Sequence, residues 1–418
     1  MNYSKIAERV DSEFAGECEF LAALVRIATD NPPGDCIAHA ERAQALLETL
    51  GFTVETHTPP AATVKAAGMI SATNIIVRQR FGTGGPCIAL NAHGDVVPPG
   101  LGWTQDPYGA AVVEDPVHGP TMYGRGVAVS KSDFATYTYA LLALRQLEAA
   151  DASKLNGCVE LHFTYDEEVG GEIGPRWLLD QKLSRPDFAI GAGFSYSVTT
   201  AHNGCLHLEV TVRGRQGHAA MPESGVDALA AATGILQAIY DSRAQLKMRR
   251  SAVAGINTST INVGLISGGI NTNVVPDRVT FRIDRRIIPE ENPQQAQDEL
   301  RQLIEKAAGA YSGIKVEIRR IMLALPLMPL PGAERLTQAL QKHGERFFGV
   351  PIGQHGVPLY TDGRHYSEFG IPTVLYGAGP RTLAEANGHG ADECLRLNDL
   401  RRATATVACT LADLLSGS

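Results

Sequence analysis

Cysteine is sparse in this sequence and is not arranged in pairs. Its seven cysteines are scattered, odd in number, and never form a CxxC motif. A disulfide framework or a structural zinc site normally shows such pairs, so we predict neither. This pattern is typical of proteins from a reducing compartment, and the location that it predicts is the cytoplasm.

Long apolar runs and an excess of positive charge are also missing. No stretch approaches the roughly 20 apolar residues that a membrane-spanning helix needs. The polar N-terminal residues 1–14 lack the apolar centre of a secretory signal. The formal net charge is −8, whereas non-specific nucleic-acid binding needs a basic surface. The sequence therefore predicts neither a membrane nor a nucleic-acid partner.

The length of 418 residues and the order of predicted elements indicate two domains. Apolar strands alternate with amphipathic helices over residues 1–198 and again over 319–418. This alternation predicts an α/β domain with a mixed, mostly parallel sheet and helices on both faces. Residues 199–318 instead follow the order β-α-β-β-α-β, typical of a compact ferredoxin-like module. We therefore predict a discontinuous domain interrupted by an inserted one.

Two acidic segments directly follow apolar strands, where α/β enzymes often place their sites. In the first, His93 precedes Asp95 by two residues, which suits a metal-ligating imidazole beside an orienting carboxylate. In the second, Glu167 and Glu168 precede a glycine pair, which suits one metal ligand and one general base. Each segment alone could equally be a polar strand end or a solvated turn.

Two further histidines lie in glycine-containing loops. His389 stands in the segment GHGADE, and His218 stands in GRQGHAAMP at the start of the predicted insertion. A loop histidine can donate a hydrogen bond to a developing oxyanion. On either segment alone, a surface or structural role is the better explanation.

Seven segments together carry a specific pattern along nearly the whole chain: HGDVVP at 93–98, YGRG at 123–126 with Lys131, DEE at 166–168, GRQGHAAMP at 214–222, NVVPD at 273–277, DRR at 284–286 and GHGADE at 388–393. In this order and at this spacing they resemble the aminoacylase, glutamate carboxypeptidase and succinyl-diaminopimelate desuccinylase family. That family, similar to peptidase family M20, consists of two-domain, metal-dependent amidohydrolases. The resemblance implies that residues 1–198 and 319–418 form the catalytic domain and 199–318 a lid and dimerisation domain.

The resemblance also implies roles for the residues of the first domain. His93, Glu168 and His389 would be metal ligands. Asp95 would orient His93 and tune its basicity. Glu167 would be the general base that takes a proton from the attacking water.

Substrate contacts follow from the same resemblance. His218, from the inserted domain of a partner subunit, would stabilise the tetrahedral oxyanion. Asn273 and Arg286 would contact the substrate, with Arg286 forming the bidentate pair that a free carboxylate favours. Arg364, in a polar loop before the last strand, is a further predicted substrate contact, although it could equally be a solvated loop residue. The inserted domain would form a homodimer.

Two ligand positions depart from the family pattern. Val129 stands where the family has a carboxylate that bridges two metal ions, and Gly193 stands where it has a later acidic ligand. Two close cations repel each other, and the bridging carboxylate offsets that repulsion. We therefore do not expect a dinuclear site.

Three outcomes remain open for the metal. The two histidines and Glu168 could converge on one divalent ion, a set known from mononuclear zinc hydrolases, and this is the outcome that we predict. Ser130, Asp133 or Asp187 could instead supply a replacement ligand. The pocket could also be metal-free, with its side chains performing acid–base chemistry or only binding.

The predicted function is hydrolysis of the amide bond of a small N-acyl amino acid or dipeptide-like substrate with a free carboxylate. The alternatives are a metal-free acid–base enzyme, such as an isomerase, and a catalytically silent binding protein. The sequence does not name the acyl group or the amino acid, because the shape of the pocket decides both.

Overall fold

The computed structural model describes residues 2–151 and 155–416. Within these residues the helices are α1 (Tyr3–Val25), α2 (Ile37–Thr49), α3 (Ala61–Ala66), α4 (Lys131–Asp151), α5 (Pro175–Asp180), α6 (Ala228–Leu246), α7 (Pro293–Ala308), α8 (Ala333–Phe348), α9 (Gly363–Glu368) and α10 (Leu397–Leu415). The strands are β1 (Val54–His57), β2 (Asn74–Phe81), β3 (Cys87–His93), β4 (Ala111–Asp115), β5 (Gly119–Tyr123), β6 (Gly157–Thr164), β7 (Phe188–Gly191), β8 (Ser197–His202), β9 (Gly204–Arg213), β10 (Thr260–Gly268), β11 (Arg278–Ile287), β12 (Lys315–Ala324), β13 (Gly353–Val357), β14 (Thr373–Leu375) and β15 (Cys394–Arg396). None of the described helices is long and apolar enough to cross a membrane.

The chain divides into two compact units. Unit 1 runs up to Thr200 and continues in Pro329–Gln354 and from Thr361 onward, whereas unit 2 comprises Ala201–Met328 and His355–Tyr360. The predicted insertion, 199–318, ended ten residues too early and lacked the second segment. That segment joins unit 2 through backbone hydrogen bonds, such as the bond from the Gly356 N–H to the Ala254 carbonyl at 2.7 Å.

The main sheet of unit 1 has eight strands in the order β1-β2-β6-β3-β7-β14-β8-β13. The central strands β6, β3, β7 and β14 pair in parallel. The pairs β1–β2, β2–β6 and β14–β8 are antiparallel. The predicted mixed sheet is therefore confirmed, with parallel pairing confined to its centre.

Helices cover both faces of this sheet. Side chains alternate between the faces of a strand, and on β3 Ile88 and Leu90 belong to the largest buried cluster of the molecule. Ala89 instead packs with Leu179 of α5 and Tyr366 of α9 in a separate buried cluster. The predicted arrangement of helices on both sides is confirmed.

Parallel pairing of β3 with β6 places their carboxyl ends side by side. In this register His93, the last residue of β3, lies opposite Thr164, the last residue of β6. The acidic turn that follows β6 therefore emerges next to His93. This is the edge at which open α/β sheets usually bind ligands.

Unit 2 has the predicted order β-α-β-β-α-β, formed by β9, α6, β10, β11, α7 and β12. Its four strands lie in the order β10-β11-β9-β12 and all of these pairs are antiparallel. The Asp227 side chain begins α6 by accepting the Leu229 N–H at 2.8 Å, as an N-cap residue does. Side chains of α6 and α7 pack on one face of the sheet in a single buried cluster.

A three-stranded sheet in the order β15-β5-β4 was not predicted from the sequence. Its strands are only three to five residues long, and so they carry too few side chains for a clear two-residue period. This sheet ties the chain before α10 to the segment before α4.

Candidate active site

His93 lies at the carboxyl end of β3 and is almost completely buried. Its Nδ1 lies 3.0 Å from the backbone carbonyl oxygen of Asp95. A carbonyl oxygen only accepts hydrogen bonds, so Nδ1 carries the proton and donates. When the imidazole is neutral, Nε2 therefore presents its lone pair, which is the form that binds a metal.

Asp95 anchors the acidic turn that follows β6. Its fully buried carboxylate accepts the backbone N–H groups of Glu167 at 3.2 Å and Glu168 at 3.1 Å. The side-chain amide of Asn31 donates to the same carboxylate at 2.9 Å. The sequence gives no signal for this role of Asn31, because an asparagine before Pro-Pro-Gly indicates only a turn.

Four predicted site residues converge at this position. The ligand atoms of His93, Glu167 and Glu168 lie within 4.8 Å of one another. His93 Nε2 is 4.0 Å from a Glu167 carboxylate oxygen, and His389 Nε2 is 3.4 Å from a Glu168 carboxylate oxygen. His389 has a φ of 63°, so the loop before β15 adopts a left-handed turn at this residue.

The electrostatics of the cluster show mutual repulsion among its carboxylates. Burial, followed by the charges of Glu168, Asp362 and Asp95, raises the pKa of Glu167 well above its ordinary value, although His93 opposes this effect. Burial lowers the pKa of His93, but the nearby carboxylates outweigh it and hold that pKa well above its usual range. A cation placed among these acids would relieve their repulsion.

Val129 lies in the loop between β5 and α4, which is hydrogen-bonded to the backbone of His93. The hydroxyl of its neighbour Ser130 lies 3.2 Å from both the backbone nitrogen and the backbone oxygen of His93. The buried carboxylate of Glu393 accepts the N–H groups of Ala128 and Val129 and pairs with Arg125 at 2.6 Å. This loop is thus held firmly beside the cluster, and residue 129 offers an apolar side chain there.

Gly193 cannot carry a ligand in this structure. A β-carbon built on it would lie 2.7 Å from backbone atoms of both Leu375 and Tyr376, closer than real β-carbons approach. An acidic side chain would therefore collide with β14 and the residue after it. Position 193 therefore supplies no metal ligand in this chain.

The three suggested replacement ligands are all engaged elsewhere. One carboxylate oxygen of Asp133 accepts the Ala378 N–H at 2.6 Å, and burial raises the pKa of this acid to about 7. Asp187 binds the N–H of Cys87, at the opposite end of β3 from His93, at 2.7 Å. The Ser130 hydroxyl is bonded to the His93 backbone, as described above. Among the described residues, this leaves the histidines and glutamates as the donor set.

Arg364 differs from its predicted role as a substrate contact. It is 2% exposed, and its guanidinium donates to the carbonyl of Gly170 and lies near Glu368. His365 Nε2 lies 3.1 Å from the same carbonyl. Both side chains therefore brace the turn that carries Glu167 and Glu168, and Arg364 has no exposed edge for a ligand.

His218 and Asn273 lie together at one end of unit 2. Residues 218 and 274 form a bridge, and the Ala219 N–H donates to the Asn273 carbonyl at 3.1 Å. The side chains of both His218 and Asn273 belong to exposed residues. They are free to meet a ligand that approaches this end of the unit.

Arg286 lies at the other end of the same sheet. It is opposite Cys205 in the β9–β11 register, whereas Arg278, near Asn273, is opposite Arg213. The eight residues between Arg278 and Arg286 span about 27 Å at the usual rise of a strand. Within one chain, therefore, His218 and Arg286 are too far apart to contact the same small molecule.

Comparisons with known proteins agree with the predicted family and with the two-domain fold. Residues 200–312 match the model of the peptidase dimerisation domain. Acetylornithine deacetylase of Myxococcus xanthus is 27% identical over 90% of this chain and 91% of its own length. Succinyl-diaminopimelate desuccinylase of Methylobacterium radiotolerans is 26% identical over 81% of this chain and 84% of its own. The solved structure of the dipeptidase Dug1p from Saccharomyces cerevisiae has a TM-score of 0.78 at 14% identity, with 100% of this chain and 99% of that chain covered.

A parallel-centred sheet that ends in a histidine–glutamate cluster, together with a β-α-β-β-α-β insertion, defines a two-domain hydrolase of the metallopeptidase type. In sequence and fold the chain resembles the M20 family of metal-dependent peptidases and amidohydrolases. The predicted family and fold are thereby confirmed. The donor set fits a divalent ion, because His93 presents Nε2 towards carboxylates whose repulsion a cation would offset.

Proposed function

We propose that this protein hydrolyses the amide bond of a small N-acyl amino acid or dipeptide-like substrate that carries a free carboxylate. The observation that carries the proposal is the convergence of His93, Glu167, Glu168 and His389 at the carboxyl ends of β3 and β6. Relatives named as a deacetylase and a desuccinylase support the substrate class.

One divalent ion, zinc in our proposal, would be held by His93, Glu168 and His389. Three protein ligands suffice for catalytic zinc, and apolar Val129 offers no carboxylate to bridge a second ion. When bound, the ion would supply polarisation of the scissile carbonyl and a lowered pKa for the attacking water.

Glu167 is the proposed general base. Its backbone is held by Asp95, and its carboxylate lies next to His93 without a strong hydrogen-bond partner among the described side chains. It would take the proton from the attacking water and deliver it to the leaving amine. Burial and the neighbouring carboxylates raise the pKa of Glu167, and a carboxyl group with a raised pKa is suited both to accepting and to releasing this proton.

Unit 2 would supply the substrate contacts. We propose that His218 stabilises the oxyanion and that Asn273 and Arg286 bind the substrate. His218 lies beyond the Arg278 end of β11, and Arg278 and Arg286 are about 27 Å apart along that strand, so a shared substrate would need His218 and Arg286 from two different chains. This distance supports a homodimer in which each chain donates His218 to the site of the other.

The edge of the unit 2 sheet supports the same dimer. β10 is an edge strand, and Leu265, Ile266 and Ile270 on and beside it are more than half exposed. An unpaired apolar edge of this kind pairs readily with another strand. We propose a second copy of this chain as its partner, and a monomeric mass in solution would contradict the dimer.

The test compares Glu167→Ala with Glu172→Ala, an exposed glutamate of the same loop. With N-acetyl and N-succinyl amino acids as substrates, Glu167→Ala should lose about 10²- to 10⁴-fold in kcat while its circular dichroism and thermal unfolding stay unchanged. Glu172→Ala should retain activity.

Metal content per chain should be measured on the same preparations. We expect about one ion per chain and loss of activity after chelation. Full activity of Glu167→Ala, or activity that survives complete metal removal, would contradict the proposal and favour a metal-free enzyme.

A further inference from the structure

Four polar side chains meet on the open face of the unit 2 sheet. On β9, Cys205 and His207 lie opposite Arg286 and Asp284 of β11, respectively. The intervening Leu206 belongs to the buried cluster under α6 and α7. Since side chains alternate along a strand, the four polar groups share the face that carries no helix.

This cluster is an ion-pair network rather than a metal site. The ligand atoms of Cys205, His207 and Asp284 lie within 4.8 Å of one another, but the Asp284 carboxylate already accepts contacts from Arg286, His207 and, at 3.8 Å, the Cys205 thiol. One oxygen accepts Arg286 Nε at 3.0 Å, and the other accepts Arg286 Nη2 at 3.1 Å and His207 Nε2 at 3.0 Å. A permanently charged guanidinium at this distance would repel a cation.

The hydrogen bonds of Asp284 leave one edge of the guanidinium available. A guanidinium can bind a carboxylate through its Nε–Nη2 edge or through its Nη1–Nη2 edge. Asp284 occupies the Nε–Nη2 edge of Arg286, and the Tyr360 ring lies 5.8 Å from its central carbon. No acceptor for Nη1 is found among residues 2–151 and 155–416.

We propose that Asp284 and His207 are positioning residues that present the Nη1–Nη2 edge of Arg286 to the free carboxylate of the substrate. The inference rests on the proposed function, which makes Arg286 the carboxylate contact. An unrestrained arginine must give up many rotamers on binding, whereas Asp284 has already fixed this one. His207 holds Asp284 in turn, so the carboxylate recognition is organised before the substrate arrives.

If Asp284 positions Arg286, Asp284→Asn should change KM in the opposite direction from the change expected if Asp284 acts only through its charge. Asp284→Asn leaves Arg286 without its counter-ion, so a role in charge alone would lower KM for an anionic substrate. A role in positioning would raise KM, because the guanidinium becomes mobile. We expect a rise of about tenfold for Asp284→Asn, and a smaller rise for His207→Gln, with kcat within twofold of wild type.

The matched control is Glu209→Gln. Glu209 is two residues from His207 on the same face and pairs with Arg282 and Arg319 instead of Arg286. The substitution Glu209→Gln removes an equivalent carboxylate charge from this surface and should leave KM unchanged. An equal rise in KM for Glu209→Gln, or a lower KM for Asp284→Asn, overturns the inference.

Calorimetry separates this inference from the proposed reaction. The full-length wild-type protein should bind N-acetylornithine more tightly than its carboxamide, and Asp284→Asn should lose that preference. A preference seen without any turnover supports the positioning and contradicts only the hydrolysis. Equal binding of both compounds by the wild-type protein overturns the positioning whatever the turnover.

Discussion

Unit 1 and unit 2 hold their candidate residues in opposite ways. In unit 1, His93 and the turn of Glu167 and Glu168 are fixed at neighbouring strand ends by the buried Asp95. In unit 2, His218 and Asn273 lie in exposed loops. Rigid, buried groups are preorganised for bond chemistry, whereas exposed loop groups act only once a ligand or partner covers them. In our proposal, therefore, the preorganised catalytic groups belong to unit 1, and the groups of unit 2 act only after a ligand or partner covers them.

The largest expected effect tests the part of unit 2 that would meet the oxyanion. His218→Ala should lower kcat about 10²- to 10³-fold, the usual result of removing an oxyanion donor. Because the residue is exposed, the thermal unfolding temperature should stay within a degree or two of wild type. Steady-state kinetics and a thermal melt on the same sample measure both quantities.

Mixing His218→Ala with Glu167→Ala tests whether His218 acts in its own chain or in the partner chain. A mixed dimer holds one site with an intact Glu167 and an intact His218 from the other chain, so activity should reappear after subunit exchange. If His218 served its own chain, both sites of the mixed dimer would lack one group. Failure to recover activity in a verified mixed dimer would refute donation between chains.

The next effect tests the preorganisation of unit 1. Asp95→Asn replaces one acceptor oxygen by an amide donor that cannot bind the N–H groups of both Glu167 and Glu168. We expect metal affinity to fall about 10- to 100-fold and the unfolding temperature to decrease. Metal titration and calorimetry check these outcomes.

Asp115→Asn is the matched control for Asp95. Asp115 also accepts two backbone N–H groups, from Val117 and His118, but in an exposed turn between β4 and β5. It should leave metal affinity unchanged. Unchanged metal binding in Asp95→Asn would show that the turn of Glu167 does not depend on this anchor.

The last effect concerns the core of unit 1 away from the site, and it should change stability without changing activity. Glu17 is fully buried on α1 and bonded to Thr404, and burial raises its pKa to about 8. For an acid whose pKa is raised by folding, stability is complete below the unfolded value and declines as pH rises to the folded value. Glu17→Gln should abolish this decline between about pH 4.5 and 8, a gain on the order of 4 kcal/mol at pH 8.

Urea unfolding of Glu17→Gln at pH 5 and pH 8 measures this difference. Glu13→Gln is the control, because Glu13 lies one turn earlier on α1 and is bonded to Gln146 instead. It should show the pH dependence of the wild-type protein. Equal pH dependence in both variants would place the titrating group elsewhere.

Local sequence patterns predicted much of the fold because long elements repeat their pattern. The mostly apolar residues 87–92 predict a strand, and the patterns of residues 227–245 and 294–308 predict helices. Each prediction agrees within two residues with the bounds of β3, α6 and α7. The three-residue strands β14 and β15 fared differently. The mostly apolar residues 373–376 predict the strand β14, whereas the sequence of β15 carries no such signal and the strand forms by pairing with β5.

Site residues could be predicted where histidines and carboxylates stand close together in one short segment of the sequence. The segments around His93, Glu167 and His389 could be aligned in one order, and the structure brings them together. Arg364 was misjudged because a sequence does not show that the carbonyl of Gly170 lies within its reach. Asn31 was missed because its only relevant partner, Asp95, is 64 residues away.

The sequence alone determined the family, the order of the elements and the chemical types available at the site, since these depend on residue identity and local spacing. Only the tertiary structure decided which groups meet. Backbone atoms of β14 and the next residue leave no room for a side chain at position 193. Asp133 and Asp187 are hydrogen-bonded to backbone groups away from the cluster. Among the described residues, Asp284 occupies only the Nε–Nη2 edge of Arg286. Those outcomes depend on packing and hydrogen bonds between residues far apart in the chain, and no local pattern encodes such distances.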